Sequence, residues 1–353
     1  MNRKTALHAE HVAAGAKMVA FAGWDMPLNY GSQVEEHHAV RNGAGVFDVS
    51  HMTVVDIAGP GARGFLRRLL AGDVERLAEV GRALYTTLLN ETGGIVDDLI
   101  AYRMRQGYRL VVNAATRDKV LDWLRTRVTG EVTVAERDMA ILAVQGPEAI
   151  ACCESVGVLR AAVLPARFNA VTAGNRTIAR TGYTGEDGLE IMLPNEEAPA
   201  LWRGLLGAGV HPAGLAARDT LRLEAGLNLY GQDMDESVSP LAANLGWTVH
   251  WNPQERDFIG RRALERERSA GVATKLTGLA LTVRGVMRPG QRVVTEAGEG
   301  AVTSGLFSPT LGYSIALARL PAEASQAADV LIRDKPLPAR IVRPPFVRRG
   351  HAE

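Results

Sequence analysis

Apolar and polar positions along the chain change period repeatedly, and each change marks a new element. Met52 to Ala58 reads as a strand, Pro60-Gly61 as a turn, and Ala62 to Leu70 as a helix by its 3.6-residue spacing. A strand around Ala83 to Leu89 leads through the turn Asn90 to Gly94 into Ile95 to Met104, with Tyr108 to Asn113 as its antiparallel partner. Thr116 to Val128 is predicted as an amphipathic helix with Val120, Leu121 and Leu124 on one face. These strands are joined too briefly for parallel crossovers, so residues 52–135 predict an antiparallel α+β unit.

Before that unit come a helix over Ala6 to Ala14, a Gly/Pro-punctuated loop from Phe21 to Tyr30, a short helix over Glu35 to Arg41 and a buried strand over Val46 to Val49. After it, Met139 to Gln145 is a continuous apolar strand closed by Gly146-Pro147. A helix carrying Cys152 and Cys153, strands near 168–181 and 188–193, and a helix from Ala198 to Leu206 complete a second α+β unit. Beyond Gly271 the texture changes. Leu276 to Val283, Arg292 to Thr295, Ala301 to Thr303, Ser314 to Ala318, Asp329 to Ile332 and Ala339 to Val342 alternate with turns, predicting a small all-β domain, barrel-like or jelly-roll-like.

Composition narrows the function classes. With 353 residues the chain has room for two or three domains. Its 40 Lys+Arg against 39 Asp+Glu give a formal charge of +1, with none of the cationic surplus that phosphate neutralisation needs, so no nucleic-acid partner is expected. No apolar run approaches the roughly 18 residues of a membrane helix, and the charge-punctuated N-terminus has no signal-peptide core, so a cytoplasmic protein without a membrane partner is expected. Adjacent Cys152 and Cys153 cannot readily pair and read as two buried thiols. Gly59-Pro-Gly-Ala-Arg-Gly64 fits the dinucleotide spacing but lacks a parallel βαβ setting and the later acid, so a tight turn is expected. His37, His38 and His51 lack metal-ligand spacing, and no metal is expected.

Three segments carry candidate chemistry. In Gly93 to Tyr102, strand alternation sends Asp97 and Asp98 to opposite faces, so one of them must meet packed surroundings or a cavity. In Arg180 to Met192, two glycine turns flank Tyr183, and Glu190 lies on a strand face, either exposed to water or accepting the paired N–H donors of a flat heterocycle. In Ala216 to Gly226, Asp219 could cap a helix with Arg218 at its mouth, as an anion contact or as a plain surface ion pair.

Together these segments resemble the T-protein family of the glycine cleavage system, the tetrahydrofolate-dependent aminomethyltransferases. The matching text includes Phe21 to Pro27, Phe47 to Met52, Asn90 to Ile100, Val111 to Ala114, Arg180 to Glu190, Ala217 to Ala225, Leu229 to Glu236, Ser239 to Trp247 and Thr303 to Gly312, in order over essentially the whole chain. The resemblance implies a multidomain α+β fold: two α+β units with antiparallel sheets around a central channel, plus a C-terminal barrel or jelly-roll-like domain. It places residues 1–51 and 136–270 in a first, folate-binding domain, 52–135 in an inserted second domain and 271–353 in the barrel.

The resemblance further implies that an aminomethyl group on the lipoyl arm of a partner H-protein is passed to tetrahydrofolate as co-substrate, with ammonia released. On residues that match the family's pattern it implies Asp98 as the catalytic residue, by proton transfer or by its field and positioning. It implies Met52, Tyr85, Asp98, Asn113, Tyr183, Glu190, Arg218 and, more weakly, Arg348 as folate-binding positions. A folate-dependent demethylase would share such a pocket. A sarcosine-type oxidase would need a flavin domain for which the chain has no space. A folate-binding factor of iron–sulfur maintenance would carry a Cys within the segment matching Asn228 to Gln232, where none stands.

Overall fold

The computed structural model describes residues 2–348 and 350–352. The chain divides into two compact units. One comprises Met1–Arg63, Glu75–Leu84 and Ile100–Leu221; the other comprises Gly64–Val74, Tyr85–Leu99 and Arg222–Glu353.

The first unit is organised by the strand Ala140–Gln145, in which every residue is buried. Its alternation explains the unbroken apolar run. Leu142 and Val144 face one cluster with Leu189, Ile191, Cys153 and, from the helix Ala198–Gly207, Leu201, Trp202 and Leu205. Ile141 and Ala143 face another with Phe47, Met192, Val40, Ala217 and Leu221. A strand covered on both faces needs no polar side, which is why its sequence does not alternate. The six-stranded sheet around it runs Ala170–Ala173, Arg176–Ala179, Gly188–Leu193, Ala140–Gln145, Gly45–Asp48, His211–Pro212.

Four of the five pairings in that sheet are antiparallel; His211–Pro212 joins Gly45–Val46 in parallel, so the sheet is mixed where antiparallel pairing was expected. A five-stranded sheet has the order Ala83–Leu89, Ile95–Met104, Gly107–Val112, Thr53–Ala58, Thr133–Arg137. Thr53–Ala58 is antiparallel to both of its neighbours, which leaves no parallel unit for a dinucleotide at Gly59 to Gly64. The helix Arg117–Thr126 buries Val120, Leu121 and Leu124, as its periodicity requires.

The second unit contains a closed barrel in the order Thr274–Leu281, Ser314–Pro321, Gly298–Phe307, Arg292–Thr295, Ala327–Ile332, Lys335–Val342. Thr274–Leu281 closes it by pairing with both Ser314–Pro321 and Lys335–Val342, which removes exposed sheet edges. Leu279, Leu281, Val293, Val302, Ala316, Ala318 and Val330 pack together as its core. The buried Arg222 donates to Asp233 Oδ2 at 2.9 Å, and Ser304 Oγ and the Leu229 amide donate to the same oxygen, so the segment after residue 226 is tied to a barrel strand.

Several expectations are corrected. Phe21 to Tyr30 is not a loop: Lys17–Phe21 and Trp24–Asn29 form a hairpin around Ala22-Gly23, whose φ values of 49° and 80° suit a tight two-residue turn. Pro27 disguised its strand, and a two-stranded ribbon tolerates proline on its edge. Asp219 is not at a helix N-terminus, because the helix Leu215–Glu224 begins four residues earlier and holds Asp219 in its interior. The helix Arg261–Ala270 was not anticipated; it buries only Arg261 and Leu264, too few apolar positions to reveal a period. Of the paired thiols, Cys153 is buried and pushed up to about 12 by that burial, whereas Cys152 is half-buried.

Among the described residues no helix is long and apolar enough to cross a membrane. Leu142→Ala would open a cavity in a strand with no free face and should cost about 2–5 kcal/mol in urea unfolding; an unchanged midpoint would contradict this packing.

Candidate functional site

In the first unit the segment 180–187 is held rigid by its neighbours. Gln145, buried at the end of the central strand, donates from Nε2 to the Thr181 carbonyl at 3.1 Å and accepts from Thr184 Oγ1 at 2.9 Å. Gly182 leaves room for that side chain, since a Cβ there would come within 1.9 Å of Gln145 Oε1. Arg41 donates to the Thr184 carbonyl at 2.7 Å and to Glu186 at 2.8 Å, and Arg180 clasps Asp187 at 3.0 and 2.6 Å. Tyr183 rides on this clamped segment, half-buried, with the Arg218 guanidinium 4.3 Å from its ring centroid.

Glu190 projects from the strand Gly188–Leu193, half-buried. Thr181 donates its hydroxyl proton to Glu190 Oε2 at 2.5 Å. That proton being committed, the 3.2 Å contact between Tyr102 and Thr181 must run from the tyrosine hydroxyl, giving a directed chain Tyr102 to Thr181 to Glu190. Burial pushes the Glu190 carboxyl above its ordinary range, and the Thr181 bond and the Arg218 charge draw it back only part of the way. Tyr102 is likewise raised, by burial and then by the Glu190 charge. Met52 and Asn113 stand one residue beyond the Thr53–Val112 pair, side by side at the end of neighbouring strands, and both are half-buried.

A deeper polar network lies in the same unit. Asp48 accepts from Thr5 at 2.6 Å, from the Ser50 amide at 2.9 Å and bonds His11 Nε2 at 2.9 Å; His11 Nδ1 meets the Tyr30 hydroxyl at 2.8 Å. Burial drives the Asp48 carboxyl upward, but the His11 bond and charge, with the Ser50 and Thr5 bonds, outweigh it and leave it lowered. His51 is 4% exposed, packs edge-on against Phe21 at 5.5 Å, and its Nδ1 has no hydrogen-bond partner among the described residues. Burial and then the Arg218 charge depress it to about 4, against a smaller pull from Asp48, so it is neutral at physiological pH.

The second unit carries Tyr85, Asp98 and Arg348. Alternation along Ile95–Met104 buries Asp97 completely and leaves Asp98 half-buried. The Tyr85 hydroxyl donates to Asp98 Oδ2 at 2.9 Å, and the Tyr85 ring stacks on Trp247 at 5.7 Å. Arg348 is exposed on the short strand Val347–Arg348. The structure thus joins Tyr183 to Arg218 and Tyr85 to Asp98. Among the described residues no group of three or more His, Cys, Asp or Glu side chains is arranged to hold a metal ion. Sequence reasoning missed Gln145, Thr181 and Trp247. For Gln145 the available signal was a polar residue ending an otherwise apolar buried strand.

The GCVT N-terminal domain family matches residues 7–253, and the glycine cleavage T-protein C-terminal barrel domain family matches residues 275–348. The chain is 56% identical over 357 residues to an aminomethyltransferase of Pseudomonas syringae pv. tomato, covering 99% of each sequence. It is also 56% identical to aminomethyltransferases of Alcanivorax borkumensis, over 100% of this chain and 99% of the relative, and of Methylococcus capsulatus, over 99% and 98%. The crystal structure of glycine cleavage system aminomethyltransferase T from Bartonella henselae shares the fold at a TM-score of 0.94, with 36% identity and 100% of both chains covered.

The neutral His51 generates a pH prediction. In the unfolded chain it takes up a proton near 6.5, in the folded chain only near 4, so it favours folding above 6.5 and loses that contribution as pH falls from about 6.5 to about 4. An NMR titration of the His51 ring should give a midpoint near 4, and His51→Phe should flatten this part of the stability profile; a midpoint near 6.5 would contradict the assignment.

Proposed function

The chain belongs to the glycine cleavage T-protein family and is an aminomethyltransferase, and from that premise we propose that it moves the one-carbon unit of an aminomethyl group, carried on the lipoyl arm of an H-protein, to tetrahydrofolate in the cytoplasm. The products are 5,10-methylenetetrahydrofolate, ammonia and the freed dihydrolipoyl arm. Three domains carry this reading: residues 1–51 with 136–270, residues 52–135, and residues 271–353. The boundary at 270 is supported by the gap between the two family matches, which end and begin at residues 253 and 275.

The observation that carries the proposal is the Glu190 carboxylate beside Arg218 and Tyr183. A carboxylate has about four acceptor positions, and Thr181 uses one of them. The rest suit the adjacent N–H donors along the edge of a pterin, which present the forked pattern that carboxylates accept. Tyr183 and Arg218 then contact the ring system, with Met52 and Asn113 lining it; Arg348 is a separate, weaker candidate for a folate contact. These groups bind and orient the folate; its own nitrogens supply the nucleophilic chemistry.

Asp98 is the proposed catalytic residue. As ammonia leaves, positive charge develops at the transferred carbon and its nitrogen, and a fixed carboxylate beside it is worth about 3–4 kcal/mol by analogy with oxyanion holes of opposite sign. Tyr85 fixes that carboxylate by its 2.9 Å hydrogen bond, and is also proposed to meet the folate.

Asp98→Asn should lower turnover of aminomethylated H-protein about a hundredfold or more while leaving the unfolding midpoint in place; near-wild-type ammonia release would remove Asp98 from the mechanism. Glu190→Gln, which keeps the shape but replaces a carboxyl oxygen by an amide donor, should weaken tetrahydrofolate binding by about tenfold or more in calorimetry. Equal affinity would overturn the pterin contact.

A further inference from the structure

We propose that Trp247 is a positioning residue for the acid at 98, acting through Tyr85. The inference rests on the catalytic reading of Asp98 and extends it to a residue outside the proposed folate contacts. Trp247 sits in the single turn Gly246–Thr248, whose backbone is fixed on both sides. Leu245 and Val249 are buried in a cluster with Leu89 and Ile95, Thr248 N donates to the Leu245 carbonyl at 2.9 Å, and His250 N donates to the Ala71 carbonyl at 3.1 Å. The indole itself takes no part in that core, being 66% exposed. Core packing therefore does not explain why so large an apolar ring stands there.

Its one described ring partner is Tyr85, stacked at 5.7 Å between centroids with 26° between planes. That is the offset geometry aromatic pairs prefer. Tyr85 is half-buried and packs in part against the same cluster, and the stack adds to that packing in fixing its ring. The stack holds the ring where its hydroxyl reaches Asp98 Oδ2 at 2.9 Å, and that bond in turn selects the carboxylate rotamer. A platform of this kind acts on the precision of the acid and leaves affinity for the H-protein alone.

Because Trp247 is so exposed, Trp247→Ala should leave the unfolding midpoint close to that of the unsubstituted protein. We expect kcat for ammonia release to fall about tenfold with KM for aminomethylated H-protein unchanged, and Trp247→Phe to restore most of it. In a double-mutant cycle with Tyr85→Phe the two losses should not add, since both break one path to the carboxylate. Unchanged kcat in Trp247→Ala, losses that add fully, or a rise confined to KM for H-protein would each overturn the proposal, the last marking Trp247 as a partner contact instead. The Asp98→Asn variant separates the two levels of the argument. If it is active, the catalytic reading has failed; if it is inactive while Trp247→Ala is normal, this inference alone has failed.

Discussion

The account depends on carboxylates kept in places where water cannot freely reach them. A carboxylate removed from water is costly unless hydrogen bonds or charges replace its hydration. The chain meets that demand differently at each one. Asp48 has three donors and is held ionised in the interior. Burial raises Glu190, one hydroxyl and a nearby guanidinium draw it back only in part, and acceptor positions remain. Asp98 is half-buried and accepts from a tyrosine hydroxyl. Acceptor positions left over, as at Glu190, give capacity for a ligand.

That difference is a product of the fold. Glu190 stands next to residues of a strand buried on both faces, and its one hydroxyl partner belongs to the segment that Gln145, Arg41 and the Arg180–Asp187 pair immobilise. Binding groups mounted this way need no reordering when a ligand arrives, which is the condition for affinity without an entropic penalty. The barrel has another character. It closes its hydrogen bonding on itself, and through Ser304 and Asp233 it anchors the chain segment that leads toward Trp247.

Much of this was legible before any coordinates. The helix at Arg117–Thr126 and every barrel strand announced themselves by pattern and turns, and the strand at Ala140–Gln145 by an unbroken apolar run that only burial on both faces allows. The hairpin at Ala22-Gly23 did not, since its strands bury little and Pro27 argues locally against one of them. Alternation correctly separated Asp97 from Asp98 and could go no further: which of the two faces chemistry depends on what surrounds the strand. Gln145, the directed chain through Thr181 and the stack on Trp247 were hidden for the same reason. They are contacts between residues distant in sequence, and no local pattern encodes them.

The most direct test of the central claim is a single turnover with H-protein whose aminomethyl carbon is labelled with carbon-13, mixed with tetrahydrofolate and this protein. The account predicts that the label passes to the bridging carbon of 5,10-methylenetetrahydrofolate with one ammonia released per transfer. Ammonia release with the label left as free formaldehyde, or no dependence of the release rate on tetrahydrofolate, would contradict it.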